Sequence, residues 1–300
     1  MNSKHCHHQG LAWIIGLILL TAVSASADDT YTLRVGGSAE SLYDMRITDL
    51  EILIGLLFTE IFKDDDVKLK IKVYDSDQAL SKQLATGNLD AVFMNPIHYL
   101  ENSAYLNKEY TYAVQHGPSA KTKYILLTRR DNSIDNLQAL RNKKLIIPSG
   151  HLVGERFLDV ELMRSGMPVA SESFSEIRYT DETNAAIINL FFGKVDAALV
   201  TEFTYDIASE LNRQIPQTLQ TITKSQPLIH LVVSLRKDFP AHLVDKFLPF
   251  ADMLNEYPRM HFLKRNFRFE GIRKVTADDI RAMSKLNNVY VQLKRELSAK

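Results

Sequence analysis

The stretch Gly87-Asn-Leu-Asp-Ala-Val-Phe-Met-Asn-Pro-Ile-His-Tyr99 returns 106 positions later as Gly193-Lys-Val-Asp-Ala-Ala-Leu-Val-Thr-Glu-Phe-Thr-Tyr205. The glycine, aspartate, first alanine and closing tyrosine are identical, and five further positions are apolar in both. Apolar residues at helical spacing precede each copy, Leu80 and Leu84 before the first, Ile187 and Leu190 before the second. Each copy reads as a helix, a glycine at its C-terminus, a buried strand, and a polar loop that opens the next helix. One such unit is generic, and two could coincide. Their shared order predicts two similar lobes, each with its own sheet.

Strand-like and helix-like stretches alternate on both sides of this repeat. Residues 67–74 (VKLKIKVY) alternate with period two, as a strand does. Residues 46–62 carry Ile47, Leu50, Ile54, Leu57, Phe58 and Ile61 at helical spacing. Further strands are expected at 31–36, 123–128, 145–147, 177–179 and 229–235, and helices at 75–86, 154–164, 182–192 and 203–212. The remainder, 241–297, reads as mostly helical. This pattern predicts an α/β fold of two lobes, each a mainly parallel sheet flanked by helices, with a ligand cleft between them. Connectors rich in turn residues at 117–122 and 224–229 predict two chain crossings and a hinge. The expected division is 28–120 with 228–300 as the first lobe and 121–227 as the second.

The N-terminus carries a separate signal. Lys4 lies in a short polar start, residues 11–23 (LAWIIGLILLTAV) are apolar and uncharged, and Ala25-Ser26-Ala27 fits a small-x-small cleavage site. Residues 1–27 are therefore expected to be a cleavable secretory signal, and thirteen apolar residues are too few for a spanning anchor. Cys6 and Trp13, the one cysteine and the one tryptophan, both lie within it. With no other cysteine, a disulfide scaffold and a cysteine-based zinc site are excluded.

The 36 basic and 36 acidic residues balance, so no basic footprint for nucleic acid exists. No GxSxG, P-loop, GxGxxG or HExxH motif is present, and the histidines lack metal-ligand spacing. Neither a catalytic constellation nor a cofactor or metal is expected. The candidate ligand residues instead follow strand ends, where open α/β sheets bind. Ser38 and Tyr43 follow the first strand, and Asn95 and His98 lie in the first repeat loop. Ser149, Gly150, His151 and Gly154 form a strand–turn–helix start suited to an anion, with His151 as a possible cationic donor. Asp181, Glu182 and Thr183 open the next helix, where Asp181 reads either as a helix cap or, with Glu202, as a carboxylate for a ligand amine.

These segments resemble the phosphate/phosphonate-type periplasmic substrate-binding proteins of ABC transporters, which have the type II periplasmic-binding fold. The resemblance is carried by Gly87-Asn-Leu-Asp-Ala, Lys123-Tyr-Ile-Leu-Leu-Thr-Arg-Arg with Ser133-Ile-Asp-Asn-Leu, Asp181-Glu-Thr-Asn, Gly193-Lys-Val-Asp-Ala-Ala and Phe269-Glu-Gly-Ile-Arg-Lys-Val-Thr-Ala-Asp-Asp-Ile. It implies a periplasmic monomer that captures a small anionic ligand, such as phosphonate, phosphate or phosphite, and delivers it to a membrane ABC permease without chemistry. Three departures bear on the ligand. His151-Leu152-Val153 stand where the family has a hydroxyl-rich turn, Met94 stands where it often has a tyrosine, and Asp181 stands where it has a histidine before Glu-Thr-Asn. The alternatives are a periplasmic sensing protein that signals to a membrane receptor, and a secreted enzyme on the same scaffold.

Overall fold

The structure is a computed structural model, and it describes residues 30–41, 47–63, 66–116, 119–245, 247 and 269–299. The expected signal segment and Tyr43 lie outside the described residues.

The first sheet draws on both ends of the chain. β1 (Tyr31–Ser38), β2 (Val67–Tyr74), β3 (Ala91–Met94), β4 (Leu106–His116), β12 (Val232–Arg236) and β13 (Phe269–Lys274) assemble in the order β13-β4-β12-β3-β1-β2. The second sheet is built from the middle of the chain. β6 (Tyr124–Arg129), β7 (Lys144–Pro148), β8 (Glu176–Thr180), β9 (Ala197–Thr201) and β10 (Leu219–Lys224) take the order β10-β6-β9-β7-β8. Between the sheets, β5 (Lys121–Thr122) and β11 (Leu228–Ile229) pair antiparallel as a short ribbon.

Both main sheets are mixed. β1, β2 and β3 are mutually parallel, as are β7, β8 and β9, whereas β4, β6, β10, β12 and β13 join by antiparallel pairing. The expectation of mainly parallel sheets therefore holds only for strands joined through helices. β6 and β12 leave the ribbon, so they run opposite to β9 and β3, which return toward it. β4 and β10 were not anticipated. Nor was β13, which lies inside the stretch expected to be helical.

Five helices start where parallel strands end. They are α2 (Asp77–Ala85) after β2, α3 (Pro96–Asn102) after β3, α4 (Leu152–Arg164) after β7, α6 (Thr183–Phe191) after β8, and α7 (Glu202–Leu211) after β9; α5 (Ala170–Ser173) and α8 (Gln214–Thr218) are single turns that precede β8 and β10. α1 (Ile47–Ile61) covers one face of the first sheet, packing Leu53, Ile54 and Phe58 against Leu33, Val35 and Phe93. In β3, alternate residues serve two cores: Ala91 and Phe93 face the α1 side, while Val92 and Met94 join a core that continues through Tyr124, Leu228 and Ile229 into the second sheet. β9 divides likewise, with Ala197 and Leu199 in that shared core and Ala198 and Val200 on the other face. This is the burial expected of strands covered on both sides.

The repeat is structural as well as sequential. Gly87 and Gly193 have φ of 75° and 69°, a left-handed conformation that glycine adopts without steric cost. Each ends its helix with the same bonds: Gly87 N–H to Leu84 and Asn88 N–H to Gln83, Gly193 N–H to Leu190 and Lys194 N–H to Asn189. The two aspartates are equivalent too. Asp90 accepts the backbone N–H of Arg34 on β1, and Asp196 accepts that of Lys144 on β7, both at 2.8 Å.

Candidate functional site

On the first-sheet side, the loops after β1, β2 and β3 meet in a closed polar knot. Ser41 donates its hydroxyl to Asp77 Oδ1 at 2.6 Å, and accepts from the Asn95 backbone and side chain at 3.1 and 2.9 Å. Asn95 Nδ2 also donates to Asp77 Oδ2 at 3.0 Å. Its Oδ1 caps α3 by accepting from the N–H groups of Ile97 and His98. His98 lies between two carboxylates, 3.0 Å from Asp77 through Nε2 and 2.8 Å from Glu101 through Nδ1. Glu40 accepts the Asp77 backbone N–H, and Ser38 accepts that of Glu40.

This arrangement sets the charges. Burial alone would push the Asp77 carboxyl up, but bonds from His98 and Ser41 hold it below the ordinary aspartate value. Burial would push His98 down, but Asp77 and Glu101 raise it overall. Both ring nitrogens of His98 and every polar atom of the Asn95 side chain already have partners. The knot thus fixes the loops and leaves these two residues little to offer an anion.

The second-sheet side differs. Pro148 and Thr180 are partners at the ends of β7 and β8, so the loops that follow lie together. Ser149 donates its backbone N–H to Thr180 at 2.8 Å and its hydroxyl to Asp181 at 3.1 Å. Gly150 has φ of 77°, which makes the turn into α4. Helix starts carry unsatisfied N–H groups and partial positive charge. Ser76, Asn95 and Thr201 cap α2, α3 and α7 with their side chains. At α4 and α6, the residues in the cap position, His151 and Glu182, make no side-chain capping bond. Two adjacent helix starts therefore present backbone donors without a side-chain cap. Thr183, the first residue of α6, is buried, while Asp181 and Glu182 are exposed.

Three readings from sequence need correction. His151 is not a cationic donor: it is fully buried with its ring edge-on to Tyr124 at 5.7 Å, and burial pushes its pKa down to about 3. Gly154 is not held open for a ligand. A Cβ there would lie 2.5 Å from Tyr124 Cδ1, so the glycine lets α4 pack on that ring. Asp181 does not cap α6, since Glu182 holds the cap position. Glu202 ion-pairs with Lys123 at 3.1 Å and with Lys224, which together hold its pKa below the ordinary range. It ties the start of α7 to the residue before β6 and to the end of β10.

Asp77 and Ser41 were missed. The signal for Asp77 was present, because it begins the helix that follows a strand end, where Ser38 and Asn95 were sought. Among the described residues, no group of three or more His, Cys, Asp or Glu could hold a metal, and no helix is long and apolar enough to cross a membrane.

Two sheets joined by a short ribbon, with helix starts gathered at the strand ends, define a type II periplasmic-binding fold. A family model described as ABC transporter, phosphonate, periplasmic substrate-binding protein matches residues 50–280. The chain belongs to that family, whose members bind and do not catalyse, so the enzyme alternative falls away. No relative was found among curated proteins. Similar solved structures include a Xanthomonas citri protein bound to chloride ion (15% identity, TM-score 0.65, 88% of this chain and 99% of that one). PhnD1 from Prochlorococcus marinus in complex with methylphosphonate is also similar (15% identity, TM-score 0.60, 87% and 98% covered). So is the aliphatic sulphonate binding protein SsuA from Escherichia coli (13% identity, TM-score 0.53, 88% and 87% covered).

Proposed function

We propose that the chain is exported through residues 1–27 and that residues 28–300 capture a small oxyanion in the periplasm for an ABC permease. Phosphonate, phosphate, phosphite and close analogues are the ligand class. Residues 28–120 with 228–300 form one lobe and 121–227 the other, and the β5–β11 ribbon is the hinge about which they close. The observation that carries this reading is the pair of helix starts without side-chain caps, α4 and α6, side by side at the ends of β7 and β8. Backbone N–H groups there suit an oxyanion without the hydroxyl turn this sequence lacks. Asp181, beside them, suits a protonated amine on the same ligand.

A thermal-shift screen of the 28–300 protein with phosphate, phosphite, methylphosphonate, sulfate and acetate tests the ligand class. A ligand at 100 times its Kd adds about 2.7 kcal/mol. At about 2–4 °C per kcal/mol, that is a shift of several degrees. No shift with any member would refute the oxyanion reading. N-terminal sequencing of the exported protein tests the leader, with Asp28 as the expected first residue.

A further inference from the structure

The C-terminal helix, α9 (Ala277–Ser298), crosses from one lobe to the other. At its start Asp279 is buried and accepts from Lys121 of β5 at 2.8 Å and from Arg273 of β13 at 2.7 and 3.1 Å. These partners hold its carboxyl well below the usual range against the opposing effect of burial. Thr276 and Asp279 add a capping box. Further along, the helix packs against α3, β11 and then α4, where Arg156 stacks on Tyr290 at 3.8 Å from the ring centre.

Between α9, α4 and the connector that returns from β10 lies a crevice of about 230 Å³. Phe157 and Val160 of α4, Leu228 of the connector and Leu286 and Val289 of α9 supply apolar surface. Three cations from the same three segments also line it: Arg164, Lys224 and Lys285. Arg164 shares one N–H with Glu161, the one carboxylate of the lining, and Lys224 pairs with Glu202 outside it. Lys285 has no ion pair among the described residues. Phe157, Val160, Glu161 and Arg164 recur at helical spacing, so one face of α4 presents both the apolar and the charged groups.

We propose that this crevice is a second binding site, for a small aliphatic carboxylate. Its carboxylate contacts Lys285 and Arg164, and its chain lies on Phe157, Leu228 and Leu286. The volume is below the ~300–1,000 Å³ of sites for drug-sized ligands, so the occupant is small. The excess of cations over carboxylates selects an anion, and the apolar surface favours an alkyl chain over inorganic phosphate. Because α9 is anchored at the hinge and the crevice opens onto α4, a bound carboxylate fastens the lobes at one angle. That last consequence rests on the two-lobe reading; the site itself does not.

The test is calorimetric titration of the 28–300 protein with hexanoate, hexylamine and acetate. Hexanoate is expected to bind saturably, and the other two at least about tenfold more weakly, the loss of one charge-assisted or one apolar contact. Lys285→Glu, at an exposed helix position, should weaken hexanoate about tenfold and leave the oxyanion thermal shift unchanged. Leu286→Asn should weaken hexanoate with little effect on acetate. Equal binding of hexanoate and hexylamine, absence of saturable hexanoate binding, or unchanged affinity in Lys285→Glu would each overturn the site. A failed oxyanion screen with hexanoate binding intact would refute the cleft reading alone.

Discussion

His98 stands near the start of a helix on the first-sheet side and His151 at a helix start on the second-sheet side, and the sequence offered both as candidate ligand residues. Their surroundings give them opposite states. His98 lies between Asp77 and Glu101, which raise its pKa; His151 is sealed against Tyr124, and burial pushes it down to about 3. The histidine whose pKa is raised is thus already engaged within a knot, and the one beside the helix start without a side-chain cap carries no charge. The same division runs through the two repeat loops. Asn95 caps α3 and serves the knot, whereas Thr201 caps α7, and Thr204, at the position equivalent to His98, only bonds back to Thr201 at 2.8 Å. Duplicated backbone did not carry duplicated chemistry. The first-sheet side has a scaffold of side chains, and the second-sheet side has helix starts without side-chain caps.

If the knot is scaffold, removing its centre should cost most. Asp77→Ala leaves His98, Ser41 and Asn95 without their shared acceptor and is expected to destabilise folding by about 3–5 kcal/mol, as for a buried pair that loses one partner. Urea unfolding measures this. A loss below ~1 kcal/mol, the range of an exposed ion pair, would show that the knot is not structural.

On the opposite side, Gly154→Val drives a branched side chain into Tyr124 and should cost about 1–3 kcal/mol. The double variant with Tyr124→Ala should recover part of that loss, since contacting sites couple. Simple additivity would mean that the glycine is not there for the ring.

The histidines make opposite pH predictions. His98 titrates above its ordinary value when folded. Its contribution is therefore complete below about pH 6.5 and is lost as pH rises through the raised pKa. His151 is depressed. It has no effect above about pH 6.5, and stability falls by up to ~1.4 kcal/mol per pH unit as pH drops from there toward 3. His151→Leu should flatten the fall between pH 6.5 and 5, and His98→Asn the fall above neutrality. If His151→Leu leaves the acid slope unchanged, the buried neutral state is wrong.

The smallest effect belongs to Glu202→Gln. Its pairs with Lys123 and Lys224 are solvent-accessible, so about 0.2–1 kcal/mol is expected, reduced further by salt. A loss of several kcal/mol would make the second repeat loop as structural as the first.

Much of this fold was legible because its signals are local. Glycine-capped helices, the period-two alternation of 67–74 and the repeat itself each lie within a few residues of sequence. β4 was only partly legible: Tyr110 and Tyr112 alternate with Glu109 and Thr111, but Ala113 and Val114 break the period. The pairing direction of β6 and β12 was not legible, because it depends on where the chain crosses between sheets. The site was half legible. Strand-end logic finds Ser38, Asn95 and Ser149, and by the same logic should have found Asp77. The burial of His151 could not be read, because it depends on Tyr124, whose ring reaches α4 only when β6 and β7 share a sheet. The sequence around Gly154 shows an open turn, and only the packed ring shows what occupies it.

Capture of the oxyanion by backbone N–H groups at the starts of α4 and α6 can be watched by following amide resonances of the 28–300 protein while adding the oxyanion that gives the largest thermal shift. The amides of Gly150, Leu152, Val153, Thr183 and Asn184 should move furthest downfield and saturate together. Shifts concentrated instead at Ser41, Asp77 and His98, with those amides unmoved, would contradict capture at these helix starts.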